Sequence, residues 1–161
     1  MTLRPLACAL ALGLIAGLAA PAVAQDIEAG AKTFNQCQTC HVVQNEAGEV
    51  LAGKNAKTGP NLYGVVGRAA GVYPEFKYGE SIVALGASGF TWTEADLAVY
   101  LADPAAFLKD KSGDSKAKSK MMFKLKDEKE AADVAAFLAS FSAAPAAAEG
   151  EAAPAEGEAT N

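Results

Sequence analysis

The run Cys37-Gln38-Thr39-Cys40-His41 constrains this chain more than any other feature. It sets two thiols and an imidazole in the Cys-x-x-Cys-His order of covalent c-type haem attachment, in a chain with only three cysteines and one histidine. The two cysteines would form thioethers with the haem vinyl groups, and His41 would be pinned beneath the iron as its proximal ligand. A fold built on this tether must wrap a large flat apolar group. Three other readings compete with it. Structural zinc wants four ligands, and beyond the first two dozen residues the chain offers only Cys37, Cys40 and His41, so a carboxylate or water would have to complete the shell. A thioredoxin-like redox pair needs a βαβ surround, and no strand of any length is evident nearby. A plain Cys37–Cys40 disulfide suits an oxidising compartment but leaves the histidine without a role.

Residues 1–24 run from Arg4 through an apolar block, Leu6 to Ala20, to Ala22-Val23-Ala24, the small-x-small pattern of a signal-peptidase site. Export with cleavage before Gln25 is expected, and Cys8 leaves with the signal because it opens the apolar block instead of ending it. Residues 143–161 are almost wholly Ala, Pro, Glu and Gly, with Glu149, Glu151, Glu156 and Glu158 and no aromatic residue. Such a composition buries too little apolar surface to offset its ordering entropy and reads as a disordered acidic tail. The formal charge of −5 therefore misleads, since four acids sit in this tail and the body is near neutral. Net charge predicts no nucleic-acid partner.

Residues 25–142 remain as one small domain with a modest core, so folding and haem attachment are expected to be coupled. Asp26 is an N-cap candidate ahead of an apolar stripe, Ile27, Gly30, Ala31 and Phe34, that leads straight into the cysteine motif. Repeated glycines from Gly48 to Gly71 make Val42 to Pro74 read as irregular chain with tight turns. Thr93 with Asp96 opens a short helix, Glu94 to Ala102, and Asp103-Pro104 caps and starts another. Lys109 to Lys120 reads as a polar loop. Asp127 with Glu130 begins a last helix whose Val134, Phe137, Leu138 and Phe141 fall on one face. Its natural partner is the first helix, where Gly30 would let one backbone approach the aromatic ring of the other. No alternation is long enough for a sheet, and there is no internal repeat.

Taken in order, these elements resemble the class I c-type cytochromes, most closely the bacterial cytochrome c2 and c-550 group related to mitochondrial cytochrome c. The resemblance spans the whole domain. It rests on Gly30 and Phe34, on Cys37 to His41, on Thr58-Gly59-Pro60-Asn61-Leu62-Tyr63-Gly64 with Gly67-Arg68, and on Phe76-Lys77-Tyr78. It continues through Thr91-Trp92-Thr93, Tyr100 to Pro104, Ser119-Lys120-Met121-Met122-Phe123 and Phe137-Leu138.

The resemblance implies an all-α class I cytochrome c fold, with small helices and loops around one covalent haem c and crossing N- and C-terminal helices. It implies Met121 as the second axial ligand beside His41, with Met122 as core filler. It implies that the Pro60 carbonyl fixes His41. Arg68, Tyr78 and Trp92 would serve the haem propionates, and Tyr100 and Ser119 would lie near the methionine sulfur or inner propionate. It further implies a soluble, monomeric periplasmic electron carrier, not an enzyme. Its donor would be a bc1-type quinol-cytochrome c reductase and its acceptor an oxidase, reductase or photosynthetic reaction centre. Docking would use Lys109, Lys111, Lys116, Lys118, Lys120, Lys124, Lys126 and Lys129, with Lys32, Lys54 and Lys57 adding to the ring. Three departures stand out. Ile82 replaces an asparagine that holds a buried water in mitochondrial relatives. The Asp110 to Ser119 loop is longer and lacks their proline and glycine, which implies a more mobile distal loop. Phe137 replaces a frequent tyrosine.

Overall fold

The computed structural model describes residues 25–142; the expected signal segment and acidic tail lie outside the described residues. Five helices and one small hairpin follow in order: α1 (Ile27–Phe34), β1 (Val42–Gln44), β2 (Val50–Gly53), α2 (Glu80–Ala87), α3 (Glu94–Ala102), α4 (Pro104–Ser112) and α5 (Glu128–Ala139). No helix among the described residues is long and apolar enough to cross a membrane.

The caps read from the sequence are the caps that form. Asp26 accepts the Ala29 N–H at 3.0 Å, Thr93 that of Asp96 at 3.0 Å, Asp103 that of Ala106 at 3.1 Å and Asp127 that of Glu130 at 2.9 Å. Each satisfies an N–H that the first helical turn leaves without a partner.

α1 and α5 form the most extensive helix pair, and α3 packs on α5 beside it. Gly30 is what lets α1 close on α5: a Cβ there would overlap the Asp133 carbonyl and crowd Phe137. Phe34 and Phe137 meet with ring centroids 5.4 Å apart. In a second aromatic group Trp92 stacks on Phe107 at 5.6 Å and meets Tyr100 edge-on at 5.0 Å. Phe34, Phe137, Trp92 and Phe107 belong to one buried apolar core with Leu97, Leu101, Leu108, Val134 and Leu138.

Three features depart from the sequence reading. A two-stranded antiparallel hairpin forms within the irregular stretch, pairing Val42 with Gly53 and Val43 with Ala52, with a bulge before Gln44 pairs with Val50. α2 forms where no helix was read; its N-cap is Gly79, which has no side chain to announce it. α4 runs on through Lys109–Ser112, so the polar loop begins only at Gly113, whose left-handed backbone (φ 69°) ends the helix.

Candidate haem-binding site

α1 does not stop at Phe34 so much as loosen into tight turns. Cys37 N–H donates to the Phe34 carbonyl at 2.8 Å, and the Cys40 and His41 N–H groups both turn back to the Cys37 carbonyl, at 3.1 and 2.9 Å. Cys37, Cys40 and His41 are thereby gathered on one wall of a cavity of about 790 Å³. That volume falls in the roughly 300–1,000 Å³ range of small-molecule and cofactor sites. Gly59 and Pro60 lie against the same wall, tied down by a 2.7 Å bond from the Gly59 N–H to the Cys40 carbonyl.

The His41 ring is oriented by this second segment. Its Nδ1 lies 2.9 Å from the Pro60 carbonyl, so Nδ1 carries the proton and donates, leaving the Nε2 lone pair free. Burial lowers the His41 pKa, and the Pro60 bond only partly offsets this, so the ring is held neutral, the form that can ligate a metal. The close fit depends on Gly59, where an added Cβ would stand 2.5 Å from His41 Cε1.

Both thiols are free and half-buried. Burial, with Cys40 beside it, pushes the Cys37 thiol up to about 11. A thiol so disposed is poorly suited to exchange, which runs through the thiolate, and this speaks against a thioredoxin-like pair. Among the described residues no group of three or more His, Cys, Asp or Glu converges to hold a metal ion.

Met121 lines the same cavity and is half-buried. Its N–H donates to Ser119 Oγ at 3.0 Å, and Ser119 Oγ lies 3.3 Å from the Tyr100 hydroxyl. The loop that carries it is anchored on three sides. Lys118 N–H donates to Ser81 Oγ at 3.0 Å, Lys120 Nζ to the Lys77 carbonyl at 2.8 Å, and Leu125 N–H to the Leu101 carbonyl at 2.8 Å.

Arg68, Tyr78 and Trp92 also line the cavity. Arg68 donates to the Tyr63 carbonyl at 3.1 Å and the Asn61 carbonyl at 2.9 Å, and its guanidinium lies 5.4 Å from the centre of the Tyr73 ring. Burial lowers the Arg68 pKa and raises that of Tyr78, with the Arg68 charge pulling Tyr78 partly back. Tyr100 is likewise raised by burial. Trp92 is held through its backbone, which exchanges bonds with Arg68 and Gly67 at 3.0 and 2.8 Å. Ile82 lines the cavity as an apolar wall residue.

Asn61 is the residue that sequence reasoning overlooked. Its Oδ1 accepts from the Gln44 and Tyr63 N–H groups, both at 3.0 Å, and its Nδ2 donates to the Gln44 carbonyl at 2.7 Å. It thus rivets the Pro60 segment to β1. The available signal was an asparagine directly after proline in a turn-rich run, where its side chain mimics backbone.

These residues fit a haem: two thiols at attachment spacing, an imidazole with one nitrogen already committed, a thioether lining the same space, and polar donors among apolar walls. Fold and donor set together define a class, the small helical proteins built around a covalently held haem.

No family model matches the chain. Cytochrome c2 of Fuscovulum blasticum is 62% identical over 130 residues, covering 81% of each chain. Cytochrome c2 of Rhodobacter capsulatus is 62% identical over 124 residues, covering 76% of this chain and 88% of its own. Among solved structures, cytochrome c2 from Rhodobacter sphaeroides superposes with a TM-score of 0.72 at 54% identity, covering 76% of this chain and all of its own. The chain belongs to the cytochrome c2 and c-550 family of class I c-type cytochromes. It is accordingly an electron carrier and not an enzyme, with one covalently bound haem c.

Proposed function

We propose that this chain carries single electrons in the periplasm on a haem bound through thioethers at Cys37 and Cys40, with His41 and Met121 as the axial ligands. The observation that carries this reading is that one cavity is lined by both thiols, by a histidine whose Nδ1 is already bonded to Pro60, and by a half-buried methionine. A haem held in this way supplies a ferric–ferrous couple, and a thioether ligand raises its potential.

The chain's own residues set the conditions for that couple. Pro60 fixes the His41 tautomer so that Nε2 faces its ligand role. The Tyr100–Ser119 pair holds the Met121 backbone in place. Arg68, Tyr78 and Trp92 supply charge and hydrogen-bond donors for the propionates, which need such partners inside a protein. His41 and Met121 would together fill both protein-facing positions on the iron and leave none for a substrate.

Export through residues 1–24 takes the chain to the oxidising compartment. There, as a soluble monomer, it receives electrons from a bc1-type quinol-cytochrome c reductase and delivers them to an oxidase, reductase or photosynthetic reaction centre. Docking uses the lysine-bearing rim of the cavity, where Lys77, Lys118 and Lys120 are exposed.

The test is the absorption spectrum of the protein made with haem-attachment machinery. Thioether-haem bands together with the weak far-red ferric band of sulfur ligation are expected. Haem bands without the sulfur band, with rapid carbon monoxide binding by the ferrous form, would overturn the Met121 assignment.

A further inference from the structure

Two thioethers stand side by side where the proposed function uses one. Met121 is half-buried and its N–H is held by Ser119 Oγ. Met122 is 83% exposed, more than any other large apolar side chain among the described residues, yet it sits on the rim of the same cavity. Phe123 beside it is 38% exposed, and Lys120 holds the neighbouring rim through its bond to the Lys77 carbonyl. So exposed a side chain cannot be the core filler that the family pattern implies, and packing gives no reason for a methionine here.

The chemistry of sulfur gives one. A thioether is oxidised by peroxides through a lone pair on sulfur, and access of the oxidant to that lone pair governs the rate. Met121 lines the cavity and is half-buried, and on the reading that it is an axial ligand its lone pair is committed to iron. At Met122 it is open to solvent.

We propose that Met122 is a modification site, a thioether that takes up oxygen from hydrogen peroxide at the cavity rim while Met121 is spared. The Met122 sulfur attacks one peroxide oxygen, the O–O bond breaks, that oxygen stays as the sulfoxide, and the other leaves as water after proton transfer. Sulfur gives up two electrons and peroxide gains them. The polar product faces solvent, so neither core nor cavity is disturbed, and methionine sulfoxide reductases can restore the thioether. The same reaction at Met121 would remove the lone pair that the axial role needs.

The inference rests on the Met121 assignment, and the experiment separates the two. The processed ferric holoprotein, without the signal segment and its Met1, is treated with one equivalent of hydrogen peroxide, and the oxygen is located by fragment-ion mass spectrometry while the far-red band is followed. Met122 is expected to be oxidised at least about tenfold faster than Met121, with the far-red band intact, and M122L is expected to take up no oxygen in the same period. Equal oxidation of both residues with loss of the band would overturn the proposal and leave the ligand assignment standing. Oxidation of Met121 with the band unmoved would overturn both. Oxidation of Met122 accompanied by loss of the band would make Met122 the ligand and end the proposal.

Discussion

Gly59 shows how much a single hydrogen atom decides. The His41 ring packs close against its backbone, and a methyl group there would stand within 2.5 to 2.9 Å of three ring atoms. The ring would have to tilt away, and its 2.9 Å bond to Pro60 would not survive that tilt. Because Pro60 follows immediately, shifting the Gly59 backbone away from the ring would carry the acceptor carbonyl away with it. G59A is expected to cost about 1–3 kcal/mol in the manner of other overpacked interiors, and to weaken the His41 ligand field. Chemical unfolding of the holoprotein measures the first and ferric spin state the second. A variant with wild-type stability and an unchanged low-spin spectrum would show that His41 does not depend on this contact.

At the scale of elements, the α1–α5 pair is closed by more than apolar contact. Asp133, only 2% exposed on α5, accepts the Asp26 N–H at 2.9 Å and the Lys129 ammonium at 2.7 Å. The Lys129 bond first, and then the Asp26 N–H, hold its carboxyl below the ordinary value of 3.8. A carboxylate with a depressed folded-state pKa stabilises the fold above its unfolded value, and that contribution is lost as pH falls through the folded value. D133N is therefore expected to be less stable than wild type at pH 7, with the difference shrinking below pH 3.8; urea midpoints at neutral and acid pH measure it. A constant difference at both would assign the loss to shape instead of charge. This clasp was hidden in the sequence, where an aspartate in mid-helix looks like any exposed polar residue. Asp26, Thr93, Asp103 and Asp127 were legible because capping is local, acting over three residues. Gly30 was legible because its partner lies on an equally periodic helix. α2 was not, since Gly79 offers no side chain to cap it, and neither was the hairpin, whose strands of three and four residues are too short for alternation to register. The last turn of α4, Lys109–Ser112, looked like loop because its polarity outweighed its helical continuity. In the site, Cys37, Cys40 and His41 were legible as a motif, whereas Asn61 works through contacts with Gln44, seventeen residues away.

For the molecule as a whole, the formal charge of −5 says little about what approaches it, because the charges are sorted in space. The eight lysines between Lys109 and Lys129 are not equivalent. Lys111 pairs with Asp96 at 2.8 Å, Lys124 with Asp103 at 2.7 Å and Lys129 with Asp133 at 2.7 Å, so each of these cations is largely cancelled at its own site. Lys109, Lys116, Lys118, Lys120 and Lys126 have no carboxylate partner among the described residues, and Lys118 and Lys120 stand on the cavity rim itself. An acidic redox partner would therefore be steered by the unpaired set, and toward the rim. Exposed charges act over about 8 Å at physiological ionic strength and farther in dilute salt, so this steering belongs to the low-salt regime. Bimolecular electron-transfer rates with a membrane reductase or oxidase are expected to fall steeply with added salt. K118Q should slow the low-salt rate by a factor on the order of 3 and flatten its salt dependence, whereas K124Q, whose charge Asp103 already offsets, should change it less. Stopped-flow kinetics across a salt series would measure both. Rates that stay level with ionic strength, or equal losses in the two variants, would remove the rim lysines from docking and leave surface shape to set the encounter.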